Sequence, residues 1–172
     1  MNFNNYTIKA QEALQTATSL ATSRQQQIVE TGHLLKGVLA TDENITNYLF
    51  KKAGANLNLV NQKIDEFVNT YPKSSGASPY LSNDAHAALN KAEQFLTAFK
   101  DEFVTIEHIL LGLLAGKDKV ATLLKDAGFT EKILTATIKE LRKGETVKDQ
   151  TAEDKYRSLD RYAKNLNDMA RK

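Results

Sequence analysis

Few of the 172 residues carry groups able to do chemistry. Cysteine is absent, which removes thiolate catalysis, disulfides and thiolate-ligated metal sites together. The three histidines are His33, His86 and His108. His33 and His108 each open a short apolar run. Glu30 lies three residues before His33, and Glu107 directly precedes His108. An imidazole beside a carboxylate is raw material for an acid–base pair or part of a metal site. The plainer reading is structural: a histidine repeated in matching surroundings does one local hydrogen-bonding job twice. His86 stands alone on a helix and is expected at the surface. The acidic pairs Asp42–Glu43, Asp65–Glu66 and Asp101–Glu102 suit exposed helix ends and become catalytic only inside a cleft. No Gly-x-Ser-x-Gly, His-Glu-x-x-His or Gly-x-x-x-x-Gly-Lys-Ser/Thr pattern occurs. With the glycines scattered, no phosphate-cradling loop is expected, and this stretch is not expected to hydrolyse ATP.

These residues sit in a duplicated frame. Sliding the chain by 75 places Ala10, Ala13, Leu14 and Ala17 on Ala85, Ala88, Leu89 and Ala92. The same shift places Val29, His33, Leu35, Gly37 and Leu39 on Val104, His108, Leu110, Gly112 and Leu114. After one deletion the shift becomes 74, and Leu49, Ala53–Gly54, Val60 and Ile64 meet Leu123, Ala127–Gly128, Leu134 and Ile138. One structural unit is therefore present twice. Both prolines, Pro72 and Pro79, fall in the Ser- and Gly-containing junction over 71–80, a loop or linker signal.

Within each unit the apolar period is helical. Ala10, Ala13, Leu14, Ala17, Leu20 and Ala21 recur at steps of three and four. His33–Ala40 and His108–Ala115 read as short buried helices, with Thr31 and Thr105 at or within a residue of their N-caps. Thr46–Ala53 and Val120–Ala127 end at Gly54 and Gly128, which suit a left-handed stop. Leu57–Asn69 and Thr130–Lys143 complete the two sets, and Ser82–Phe99 opens the second. Gly37 and Gly112 lie inside helices, where glycine costs about 1 kcal/mol against alanine; close approach of a neighbouring helix explains them. No segment alternates with period two. The expectation is an all-α protein: two pseudo-repeated four-helix units, a linker and a terminal helix. Repeat one spans about 6–70, the junction 71–81 and repeat two about 82–143. Polar residues 144–155 are expected as a flexible linker. Residues 156–170 carry an apolar helical stripe that requires a partner.

The duplication is imperfect where chemistry is possible. Over 101–107 the chain reads Asp-Glu-Phe-Val-Thr-Ile-Glu, against Gln-Gln-Ile-Val-Glu-Thr-Gly over 26–32. Asp101 and Glu107 thus have uncharged counterparts, Gln26 and Gly32. A feature of one copy alone is a candidate for function. The bland reading is solvated loop charge, with Glu107 favouring a helix N-terminus.

Charge excludes other classes. Lys plus Arg is 23 and Asp plus Glu is 21, a net charge of +2. Residues 142–172 hold nine basic and six acidic residues, so residues 1–141 are nearly balanced at −1. No basic stripe is present for nucleic acid. No apolar run approaches the roughly 20 residues of a membrane span. The opening residues lack the pattern of a secretory signal, and a cytoplasmic protein is expected.

The two copies, Glu-Thr-Gly-His-Leu-Leu-Lys-Gly-Val-Leu and Thr-Ile-Glu-His-Ile-Leu-Leu-Gly-Leu-Leu, resemble the double Clp N motif of the Clp/Hsp100 AAA+ unfoldases over residues 1 to about 143. The following Arg-Lys-Gly-Glu-Thr-Val-Lys-Asp-Gln-Thr-Ala-Glu-Asp, and then Leu-Asp-Arg-Tyr-Ala-Lys-Asn-Leu, is similar to the linker and ATPase lead-in of the ClpB-type disaggregases. The resemblance implies a domain that engages unfolded or aggregated polypeptide and helps pass it to an ATP-driven hexameric threading ring working with the DnaK chaperone system. It places substrate-interacting polar positions on Thr7, Asp101 and Glu107, beside an apolar groove for which Ile106 is the expected lining. Cofactors are expected to be none here, ATP and magnesium belonging to ATPase domains of which residues 156–172 would be the start. The stretch alone is expected as a monomer, without nucleic-acid or membrane partners. The alternatives are an adaptor-binding N domain of the ClpA or ClpC kind, a hydrolase or metal protein using His33 and His108, and a purely structural ring module.

Overall fold

The computed structural model describes residues 2–74 and 76–156. Eight helices run in chain order through the described residues: α1 (Ile8–Ser23), α2 (Thr31–Thr41), α3 (Glu43–Ala53), α4 (Leu57–Thr70), α5 (Asn83–Phe99), α6 (Ile106–Leu114), α7 (Lys119–Ala127) and α8 (Glu131–Arg142). A further helical turn occupies 152–156. Two two-residue strands, β1 (Ile28–Val29) and β2 (Tyr80–Leu81), pair in parallel. The all-α expectation holds. Among the described residues, no helix is long and apolar enough to cross a membrane.

Local chemistry accounts for the element ends. The side chains of Thr7, Asp42, Asn56, Ser82, Thr105, Asp118 and Thr130 each accept a first-turn backbone N–H, satisfying donors the helix leaves open. The N-cap of α2 is Glu30, one residue before the expected Thr31. Gly54 and Gly128 stop α3 and α7 at φ 69° and 119°, the left-handed conformation glycine adopts without strain.

The two repeats are interlocked. Val29 of the first pairs with Leu81, which leads into the second. Symmetrically, Val104 of the second bridges to Tyr6, which leads into the first. Each copy thus lends its leading segment to the other. The central helices α2 and α6 pack together, α3 packs on α8, and α4 on α7. All nine residues of α6 are buried, which explains its unbroken apolar sequence. Gly37 and Gly112 are the closest approaches. A Cβ on Gly37 would lie 2.2 Å from the Ala13 carbonyl oxygen, and one on Gly112 2.1 Å from that of Ala88. Glycine is required because α1 and α5 press their backbones against α2 and α6.

Residues 144–156 differ from the flexible linker that composition implies. Val147, Ala152, Glu153 and Tyr156 are buried against the body. The reason is local: Val147 and Gln150 place backbone groups on partners from the body, which an average over polar residues does not register. The apolar stripe expected within 156–170, from Leu159 to Ala170, lies outside the described residues.

Candidate functional site

The residues singled out by repeat asymmetry converge at the N-terminus of α6. Helix α5 ends at Lys100 in a left-handed turn, φ 58°, which folds Asp101 back over the start of α6. There Asp101 Oδ2 lies 2.8 Å from His108 Nε2. His108 Nδ1 accepts the Thr105 backbone N–H at 2.9 Å, so the ring proton belongs on Nε2, facing the Asp101 carboxylate. Arg142, in the last turn of α8, reaches the same place. Its guanidinium donates to Asp101 Oδ2 at 2.5 Å, to Glu107 Oε2 at 3.1 Å and to Thr105 Oγ1 at 3.2 Å. It also lies over the Phe99 ring, 5.2 Å from its centroid.

The cluster continues into the C-terminal segment. Tyr156 donates its hydroxyl to Glu107 Oε2 at 2.9 Å. Asp101 Oδ1 accepts the Val147 N–H at 2.8 Å. Thr7, the N-cap of α1, is tied to this end of the molecule by its own N–H, which donates to the Val104 carbonyl at 2.9 Å. Its hydroxyl accepts from Ala10 N–H at 3.1 Å and donates to Glu153 Oε2 at 2.6 Å.

Burial sets the charge states. Burial opposes the charge on Asp101, yet the His108 and Val147 hydrogen bonds and the Arg142 charge hold its carboxyl below the ordinary range. Burial keeps His108 neutral, against the pull of Asp101. Burial likewise works against Arg142, but Glu107, Tyr156 and Asp101 raise its pKa above the usual value. Glu153 is different: burial, then the negative charge of Glu107, push it up to about 8, with the Thr7 hydroxyl and Arg142 offsetting only part.

The first copy has the same layout without the charges. His33 Nδ1 accepts the Glu30 N–H at 2.9 Å, and its Nε2 meets Gln26 Oε1 at 2.7 Å. Gln26 in turn donates to the Val68 carbonyl at 2.7 Å. Where Glu107 carries its side chain, Gly32 carries none, and Tyr71 fills the space, its hydroxyl oxygen 2.5 Å from where a Cβ would stand. Both histidines are therefore committed to local bonds, and among the described residues no cluster of metal-ligating side chains is present.

Asp101, Glu107 and Thr7 thus lie in one region, the first two joined through Arg142. All three are buried, at 8 %, 0 % and 0 % exposure. Ile106 is 1 % exposed and belongs to the core; it does not line the surface groove expected of it, because α6 is enclosed on all sides. The sequence reading missed Arg142, Glu153 and Tyr156. Arg142 had a signal: the buried stripe Leu134, Ile138 continues to position 142, and the 74-residue shift matches Arg142 to Val68. Chemically the cluster holds no nucleophile free to react. Of Thr7, Asp101 and Glu107, Asp101 accepts a main-chain N–H of the C-terminal segment, that of Val147.

Apart from this cluster, an open and largely apolar groove of about 330 Å³ counts Thr18 and His86 among its lining. Phe3, Leu14, Val29, Leu34, Tyr80 and Leu81 line it. The Phe3 ring packs edge-on against Tyr6 at 5.0 Å, one residue before Thr7.

Comparison with known proteins agrees with the architecture. The chain is 52 % identical over 171 residues to the chaperone protein ClpB of Bacteroides thetaiotaomicron and 45 % identical over 171 residues to that of Porphyromonas gingivalis. Each match covers 99 % of this chain and 20 % of the relative, so the chain spans about a fifth of the length of these proteins. Its fold is similar to the Hsp104 N-terminal domain of Candida albicans, with a TM-score of 0.75 and 23 % identity over 87 % of this chain and 99 % of that one. It is also similar to the N-terminal domain of ClpD from Arabidopsis thaliana, with a TM-score of 0.61 and 22 % identity over 83 % and 97 % of the two chains. A family profile described as the Clp repeat (R) N-terminal domain matches residues 5–127. The chain belongs to that family.

Proposed function

We propose that this chain is the client-engaging N-terminal domain of a ClpB-type disaggregase. It holds unfolded or aggregated polypeptide weakly and helps deliver it to an ATP-driven hexameric ring that works with the DnaK system in the cytoplasm. One observation carries the reading: the open, largely apolar groove whose rim residue Tyr80 is 53 % exposed and whose lining residue Phe3 packs on Tyr6, the neighbour of Thr7. An unfolded chain differs from a folded one in its exposed apolar side chains and unpaired backbone groups. A groove for the first and polar partners for the second recognise it without reading sequence. Ordering a flexible client opposes binding, so affinity is low, which suits a module that must release what it holds. The competing reading, an adaptor-binding domain of the ClpA or ClpC kind, requires a folded partner at a defined interface.

Amide NMR titration with a permanently unfolded protein tests this. Shifts at Phe3, Tyr80 and Leu81 and around Thr7, weakened by Tyr80→Ala and Thr7→Ala, are expected. Absence of shifts at high client concentration overturns the reading.

A further inference from the structure

Residues 145–156 occupy the polar cluster in the manner of a bound peptide. Val147 uses both of its backbone groups: its N–H donates to Asp101 Oδ1 at 2.8 Å, and its carbonyl accepts the Glu102 N–H at 2.8 Å. Three residues on, the Gln150 carbonyl accepts the Ile8 N–H at 2.9 Å, one of the donors that the first turn of α1 leaves open. These contacts read main chain, at Val147 before and at Gln150 within the turn that leads into the helical residues 152–156. Side chains add identity: Val147 and Ala152 are buried, Gln150 donates to the Asn4 carbonyl, Asp154 pairs with Lys9, and Glu153 and Tyr156 meet Thr7 and Glu107.

The seating is imperfect. Glu107 Oε1 and Glu153 Oε1 are buried with no hydrogen-bond partner, and an unmet buried polar atom opposes docking. Arg142 already serves Asp101, Glu107 and Thr105, so a third carboxyl in this region finds its cation occupied. The body beneath is otherwise complete: Thr7 caps α1 and Thr105 caps α6 without help from the segment.

We infer that residues 145–156 form a displaceable strap whose backbone at Val147 and Gln150 stands in for that of the polypeptide the site takes. Client backbone reaches Asp101, Glu102 and Ile8 only when the strap lifts. The inference deepens the client-binding reading above and rests on it.

The test uses the whole 172-residue chain, with reduced, carboxymethylated α-lactalbumin as the unfolded probe. Val147→Asp sets a carboxylate against Asp101 and lifts the strap, which amide exchange at Ile8 and Glu102 reports directly. Binding is then expected to tighten about tenfold if the strap is docked nine-tenths of the time, because the competent state is no longer the minor one. Faster exchange at Ile8 and Glu102 with affinity unchanged or weakened overturns the strap. Failure of the probe to bind either chain overturns the client-binding reading, and the strap with it. Should Val147→Asp fail to fold, Tyr156→Phe removes only the hydroxyl bond to Glu107; a smaller gain in the same direction supports the strap, and faster exchange without any gain overturns it.

Discussion

Asp101 and Gln26 hold the same place in the two repeats: Asp101 meets His108 Nε2 at 2.8 Å, and Gln26 meets His33 Nε2 at 2.7 Å. One copy solves the histidine's need with a neutral amide, the other with a carboxylate. The carboxylate entails a buried charge, which is costly unless paired. Arg142 supplies the partner from the position where the first copy has Val68. With Glu107 also on that guanidinium, three substitutions that mean little apart make one ion network.

The network predicts strong non-additivity. Arg142→Met alone leaves Asp101 and Glu107 buried without their cation and is expected to cost about 3–5 kcal/mol. Adding Asp101→Asn and Glu107→Gln imitates the neutral first copy and should restore most of that loss. Urea denaturation of the single, double and triple variants measures it. Equal, additive losses would contradict the pairing.

The interior glycines predict a steric penalty of one sign. Gly112→Ala drives a methyl to within 2.1 Å of the Ala88 carbonyl oxygen, a backbone atom that cannot turn aside. Helix propensity favours the alanine by about 1 kcal/mol, yet overpacking of about 3 kcal/mol should exceed it. A raised melting temperature for this variant would contradict the close approach of α5 and α6.

Much of this was legible in the sequence, and the residues show why. The apolar period placed eight helices, and the 75-residue shift placed both histidines, because packing and capping are local demands that leave a periodic trace. The same comparison marked Asp101 and Glu107 as departures from the pattern. The 74-residue shift marks Arg142 against Val68 as well, but a single basic residue at a helix end also suits the helix C-terminus, so its type alone does not signal burial. The swap of leading segments, Val29 with Leu81 and Val104 with Tyr6, was invisible because two-residue strands have no period to detect. Burial of Val147 and Glu153 was missed because the 144–155 composition is polar on average. A single valine with both backbone groups bonded decides the local structure there.

Histidine burial predicts a loss of stability in acid. Burial, and then the nearby Arg24 charge, hold His33 down to about 4, and burial lowers His108 also. Both are neutral in the folded protein and titrate near 6.5 when it unfolds. A depressed pKa gives stability that is present above about 6.5 and is lost as pH falls toward the folded value. Melting temperature should therefore drop between pH 6.5 and 4. His33→Gln, whose amide can still meet Gln26, should flatten part of that slope whatever its effect at pH 7.

Glu153 predicts the opposite dependence for the C-terminal segment. Burial and Glu107 push the docked carboxyl up to about 8, whereas an undocked glutamate titrates near 4.3. Docking therefore takes up a proton. Its contribution is whole below about 4.3 and fades as pH rises toward 8, by at most tenfold in the docking equilibrium per pH unit. The charged and titratable groups facing it are Glu107 from α6, Arg142 from α8 and Tyr156 on its own segment, with Thr7 as its hydrogen-bond donor. Burial and the carboxylates of Glu107 and Glu153 raise Tyr156 well above its ordinary value. The Val147 amide resonance, followed from pH 5.5 to 9, should move toward its undocked position as pH rises. Glu153→Gln keeps an acceptor for the Thr7 hydroxyl and removes the ionisation, so its Val147 resonance should hold still over the same range. A pH-dependent shift of equal size in that variant would assign the titration to another group.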